Sequence, residues 1–255
     1  MTEKSFRSDN NIDGGCAPAI SENKEEFAKI EDSYKRISEN IEKALLKAGR
    51  SDTVRLMAVT KTVSVEKINF AASLGTDLLG ENRVQEFLGK YERYDKGCEI
   101  HFIGGLQSNK VKYIIDKVSM VHSVDSEKLA SEIGKRALSI GKIMDILIEV
   151  NIGKEESKSG VSPEALGELV SFCQELSGVK LRGFMAIPPL GGSERYFEAM
   201  ERIYEDHRLK HKNIDTLSMG MSGDYEQAVL HGSNIVRIGS GLFGERNYGD
   251  YRKNK

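Results

Sequence analysis

The sequence predicts an α/β protein built as a single closed (β/α)8 barrel, a TIM barrel with one extra helix in front. Three observations carry this. Eight short apolar runs rich in Val, Ile and Leu recur along the chain, amphipathic stretches separate them, and 255 residues is a length that a single barrel commonly fills. Strands alternating with helices pair in parallel through right-handed crossovers, and eight of them suggest closure. An open doubly wound sheet is the rival arrangement.

The elements follow in order. Residues 1–21 are rich in Asn, Asp, Ser and Gly and form a flexible tail, with the barrel domain over 22–255. From Ser21 to about Lys47, Phe27, Ile30, Tyr34, Ile37, Ile41 and Leu45 fall three or four apart, which is helical spacing, and Gly49 ends the run. Strands are expected near 55–60, 76–80, 100–103, 119–123, 143–151, 180–187, 214–218 and 234–238. Helices are expected between them near 64–74, 83–93, 108–117, 126–140, 163–177, 193–211 and 222–231.

Composition narrows the function. With 37 basic and 39 acidic side chains and no basic block, the chain lacks the charge of a general nucleic-acid or anionic-membrane binder. No apolar run reaches the roughly 20 residues that span a bilayer, and the first twenty residues lack a signal peptide's apolar core. Cys16, Cys98 and Cys173 are scattered, without CxxC spacing, so neither a disulfide framework nor a zinc site is expected. A reducing cytoplasm is the expected address.

Two nucleotide motifs fail on inspection. Gly239-Ser-Gly241-Leu-Phe-Gly244 fits GxGxxG, but no long βαβ continuation follows it. Gly104-Gly-Leu-Gln-Ser-Asn-Lys110 lacks both the glycine before the lysine and the Ser or Thr after it.

Other segments point to different chemistry. Lys61 directly follows the first apolar run, Leu56-Met-Ala-Val-Thr-Lys61. A lone lysine there is ordinarily a surface residue. At the top of a barrel, a low-dielectric surrounding favours the neutral, nucleophilic amine that Schiff-base chemistry requires. Asn82, in Gly80-Glu81-Asn82-Arg83, could bond a ligand or cap the next helix, and the small residues of His101-Phe-Ile-Gly-Gly105 allow close backbone approach or simply turn the chain. Ser218-Met-Gly-Met221-Ser222 and Arg237-Ile-Gly239-Ser240-Gly241 follow the seventh and eighth strands. Loops at those two places are the usual phosphate cradle of a barrel. Together with a lysine after strand one, they favour a phosphate-bearing aldehyde.

At these residues the sequence resembles the pyridoxal-phosphate homeostasis family, the YggS/PROSC-type proteins. The resemblance rests on Ala58-Val-Thr-Lys61-Thr, Gly80-Glu-Asn82, His101-Phe-Ile-Gly-Gly-Leu-Gln-Ser-Asn-Lys110, Val150 to Gly160, Leu217 to Ser222 and Gly232 to Gly244. It implies a barrel like the N-terminal domain of alanine racemase, with pyridoxal 5'-phosphate (PLP) on Lys61. It also implies Ser222, Gly239 and Ser240 at the phosphate with the Met221 backbone beside them, Arg237 facing the pyridine nitrogen, Asn82 near the ring, and Lys158 as a second lysine of the pocket. Two departures stand out: Gly105 occupies a place where relatives often carry a longer side chain, frequently His, and the 21-residue leader is long.

The resemblance leaves two functions. One is a carrier that holds PLP reversibly and passes it to apo PLP-dependent enzymes, acting as a monomer without nucleic acid or membrane. The other is a PLP-dependent amino-acid racemase. Racemisation needs an acid or base on each face of the substrate, and racemases of the resembled type take a tyrosine from a separate β domain. Only Tyr248 and Tyr251 follow Gly244 here, which favours the carrier.

Overall fold

The protein is described by a computed structural model covering residues 17–155, 157–189 and 194–245, with side chains from Lys24 onward. Eight parallel strands close on themselves: β1 (Arg55–Val59), β2 (Leu78–Glu81), β3 (Glu99–Phe102), β4 (Met120–Val124), β5 (Met144–Val150), β6 (Val179–Ala186), β7 (Thr216–Ser218) and β8 (Ile235–Ile238). Closure is made by β1, where Met57 pairs with Leu78 of β2 on one side and Arg237 of β8 on the other. Parallel strands need long crossovers, supplied by α2 (Val65–Ser73), α3 (Val84–Lys90), a 3-10 segment (Ser108–Tyr113), α4 (Glu127–Ser139), α5 (Leu166–Glu175), α6 (Glu194–Lys210) and α7 (Tyr225–Leu230).

The leading helix α1 (Ala17–Lys47) completes the outer ring. The helix after β8, α8 (Ser240–Phe243), is a single turn, so α1 packs between α7, α8 and α2 where an eighth barrel helix would lie. Ile30, Ile37, Ile41 and Ala44 are its buried stripe, Phe27 stacks on Phe70 with ring centroids 4.6 Å apart, and Asn40 donates to the Tyr225 hydroxyl at 3.1 Å. Gly49, with φ +65°, turns the chain out of the helix.

Two expectations need correcting. The helix starts at Ala17 rather than Ser21, so residues 17–21 belong to it rather than to the tail. Pro18 falls in its first turn, where a missing N–H breaks no helical bond. The tail before residue 17 lies outside the described residues. The helix expected near 108–117 is instead the 3-10 segment ending at Tyr113. Ser108 and Asn109 favour turn geometry, and the helical spacing of the buried Val111, Ile114, Ile115 and Val118 is what makes the segment read as a helix in the sequence.

Strand alternation sorts side chains into two layers. Outward residues such as Ala58, Leu79, Phe102 and Val121 join the main core against the helices. Inward residues form two small apolar groups, one around Met57, Leu78 and Ile103 and one of Met120, Leu147 and Met185. His101, His122, Ser218 and Arg237 are also buried on the strands. Cys98 and Cys173 are unpaired, and burial pushes their thiols up to about 11 and about 12. Cys16 lies outside the described residues. Among the described residues no helix is long and apolar enough to cross a membrane, and no cluster of metal-ligating side chains occurs.

Candidate functional site

A cavity of about 130 Å³ opens at the C-terminal ends of the strands, the end at which barrels carry their chemistry. Lys61, Asn82, Met221, Ser222, Arg237, Gly239 and Ser240, seven of the eight residues anticipated from the sequence, meet on its wall, with Val59, Ile103 and Ile187 among them. The eighth, Lys158, lines an adjoining cavity instead. Its ammonium pairs with Glu155. Tyr248 and Tyr251 lie outside the described residues.

Lys61 is held by the residues on either side of it. The Thr60 hydroxyl donates to Glu81 Oε1 at 2.6 Å and to Gly80 O at 3.1 Å. Thr62 adopts φ +64°, a left-handed conformation that a β-branched residue seldom takes. Its N–H donates to Glu86 Oε1 at 2.5 Å, and Lys90 bridges the same carboxylate at 2.6 Å and Thr60 O at 3.1 Å. The Glu86–Lys90 pair is largely buried, with side chains 7% and 14% exposed. Charge-assisted bonds of this kind offset the strain at Thr62. Glu86→Gln keeps an acceptor for Thr62 but loses the charge. It is expected to cost about 1 kcal/mol of unfolding free energy, the difference between a charged and a neutral hydrogen bond, measured by urea denaturation. No loss would mean that Glu86 does not hold the turn.

Gly104 illustrates how tightly the wall is built. A Cβ placed there would stand 2.1 Å from the Asn82 carbonyl oxygen. The close approach anticipated for the glycines after β3 is therefore real at Gly104 and fixes where Asn82 sits. The Asn82 side-chain oxygen is buried without a hydrogen-bond partner.

Arg237 sits at the cavity floor, 4% exposed. Its Nη1 donates to Ser218 O at 2.6 Å and Ser218 Oγ at 2.8 Å, and its Nη2 to Ala186 O at 2.9 Å. Burial lowers the guanidinium to about 10, with Glu149 and Asp224 opposing the shift, so it stays charged at neutral pH. Among the described residues no carboxylate forms an ion pair with it. Behind it the contacts continue: Ser218 Oγ to His122 Nδ1 at 3.2 Å, His122 Nε2 to His101 Nδ1 at 2.9 Å, His101 Nε2 to Glu99 Oε1 at 2.8 Å. Burial lowers the pKa of both histidines, and the His101 hydrogen bond holds the Glu99 carboxyl well below its usual range. His122 is a polar residue inside the apolar run Met-Val-His-Ser-Val, a signal that sequence reading passed over.

Opposite Lys61, Ser222 Oγ accepts from Gly241 N at 2.9 Å and lies 3.4 Å from Ser240 Oγ. Ser240 opens α8; Gly241 N goes to Ser222 Oγ and Leu242 N and Phe243 N to Gly239 O, which leaves the Ser240 amide of that turn. Asp224 Oδ1 takes the Met221 N–H at 2.6 Å, so that amide is committed locally and is not a free donor to the cavity.

These groups fit a planar, anionic aldehyde. The hydroxyls of Ser222 and Ser240 and the Ser240 amide that opens α8 suit a phosphate. A buried arginine without a carboxylate suits an aromatic nitrogen acceptor, and the unpartnered Asn82 oxygen calls for a donor.

Comparison with known proteins settles the family. The alanine racemase N-terminal domain model matches residues 33–247. The pyridoxal phosphate homeostasis protein of Aquifex aeolicus (strain VF5) is 47% identical over 220 residues, 84% of this chain and 96% of the relative. The chain belongs to the pyridoxal phosphate homeostasis protein family. The Escherichia coli K12 member is 36% identical over 84% of this chain and 95% of the relative. Among solved structures, PipY of Synechococcus elongatus PCC7942 with PLP bound superposes with TM-score 0.72 at 28% identity, covering 83% of this chain and all of PipY. An alanine racemase of Clostridium difficile, 19% identical with TM-score 0.66, shares the fold over 58% of its length.

Proposed function

We propose that this protein holds PLP reversibly, as a Schiff base on Lys61, and serves its homeostasis by passing it to apo PLP-dependent enzymes. The observation that carries the reading is the convergence of Lys61, Asn82, Arg237, Ser222, Gly239 and Ser240 on one cavity, in a chain of this family whose relative PipY has PLP bound. When bound, the cofactor supplies an aldehyde that a lysine amine can capture and release.

The chain's own groups do the rest. The strained, clamped turn at Thr62 keeps Lys61 at the cavity wall. Ser222, Ser240 and the opening turn of α8 receive the phosphate. Arg237 presents N–H donors to the ring nitrogen and, being charged, disfavours a proton there, which weakens the ring as an electron sink. Asn82 accepts from a donor of the bound cofactor, and Lys158 stands at the neighbouring mouth rather than at the point of attachment. The same reading makes the protein a cytoplasmic monomer.

Borohydride reduction of the loaded protein followed by peptide mapping tests the attachment. The pyridoxyl mass is expected on the peptide carrying Lys61. Its appearance only at another lysine would overturn the assignment.

A further inference from the structure

Beside the cofactor cavity lies a second one of about 270 Å³, and the two share Asn82, Ile103 and Ile187. Its wall also carries Glu149, which nothing above uses. Glu149 lies two residues after the inward-facing Leu147 on β5, and is 8% exposed. Among the described residues its carboxyl makes no hydrogen bond or ion pair. Burial and the like charge of Asp125 push it up to about 7, with Arg237 pulling the other way.

Native proteins rarely leave buried acceptors without donors. Here Asn82, whose side-chain oxygen is such an acceptor, and Glu149, whose carboxyl faces the cavity without a partner among the described residues, line connected space, with Lys158 on the same wall. With Asn82 turned to the cofactor, a ligand that satisfies Glu149 brings N–H donors and positive charge. The mouth is open to it: a Cβ at Gly105 would meet nothing within 4 Å, so a longer side chain at this position would occupy the entrance.

We infer that the second cavity is a subsite for a primary amine, held by the Glu149 carboxyl next to the Lys61 cavity. The inference rests on the cofactor reading, because it gives bound PLP an amine neighbour. Two sources share this chemistry, a free amino acid and a lysyl side chain of an acceptor protein.

The test uses the full chain without cofactor and saturation-transfer NMR of L-alanine, Nα-acetyl-L-lysine and trimethylglycine. Saturable binding of either primary amine, at least about tenfold tighter than trimethylglycine, is expected. L-alanine alone would assign a free amino acid, and Nα-acetyl-L-lysine alone a lysyl side chain. Glu149→Gln and Gly105→Leu should each weaken amine binding at least about tenfold. Both should leave PLP binding, followed by equilibrium dialysis, within about threefold of wild type. No amine binding by the wild type, equal binding of trimethylglycine, or variants that leave the amine unaffected would overturn the inference. Parallel loss of PLP in both variants would overturn it too, by returning the cavity to the cofactor. Wild-type protein that binds amines but not PLP would sink the cofactor reading alone.

Discussion

Replacing Gly239 by leucine is expected to weaken PLP binding about a hundredfold while leaving unphosphorylated pyridoxal within about threefold. Gly239 caps α8 at φ −109° and ψ −86°, outside the broad helical and extended regions, so unchanged binding of unphosphorylated pyridoxal is also the check that the fold survives the change. A leucine side chain beside Ser222 and Ser240 would fill the place of the phosphate. A hundredfold is about 2.7 kcal/mol, the worth of one or two charge-assisted hydrogen bonds at roughly 1.5–3 kcal/mol each. Fluorescence titration with both ligands gives the comparison. Equal weakening would place the phosphate elsewhere.

Glu149→Gln is expected to stabilise the cofactor-free protein at alkaline pH and to have little effect near pH 4.5. The Glu149 carboxyl is raised from 4.5 to about 7 in the fold. The fold therefore favours its protonated form, and that stability is fully present below 4.5 and lost as pH rises through 7. Over that interval the cost to the wild type reaches about 3 kcal/mol, at 1.36 kcal/mol per pH unit. Glutamine has no proton to lose. His101 and His122 act with the opposite sign, losing stability as pH falls below the free-histidine range, but both proteins contain them, so they cancel in the difference. Urea unfolding from pH 4.5 to pH 9 should give a difference curve that climbs up to about pH 7 and levels off above it. A flat curve would show that Glu149 is ionised without penalty.

Most of the barrel is legible in the sequence because its two periodicities are plain. The runs at 143–151 and 234–238 coincide closely with β5 and β8. Helix ends are less legible: a proline is compatible with a helix's first turn, and so Pro18 does not mark the boundary that Ser21 suggested. The site was legible where small residues and a lysine follow strands, as at Lys61, Ser222 and Gly239. It was not legible at Glu149 or His122. A polar residue in an apolar run reveals an inward position only when the strand's register is known. Nor could spacing show that Met221 spends its amide on Asp224, or that Lys158 faces the neighbouring cavity. Both depend on how a loop closes.

The contacts running from Arg237 down to Glu99 have one further consequence. With both imidazoles neutral, a single assignment of protons satisfies every link: Arg237 gives to Ser218, Ser218 to His122, His122 to His101, and His101 to the Glu99 carboxylate. Every dipole in the column then points the same way, with a cation at its head and an anion at its foot. Arg55, donating to Glu99 at 2.7 Å, and Ser119, at 2.9 Å, anchor that foot at the opposite end of the barrel. The column is polarised from head to foot, while the carboxylates that favour the charged guanidinium directly are Glu149 and Asp224. It has no reversed form, because Arg237 can only donate and the ionised Glu99 can only accept. On the proposed reading, a ring nitrogen at Arg237 would meet a donor at the head of a column ordered down to the opposite end of the barrel.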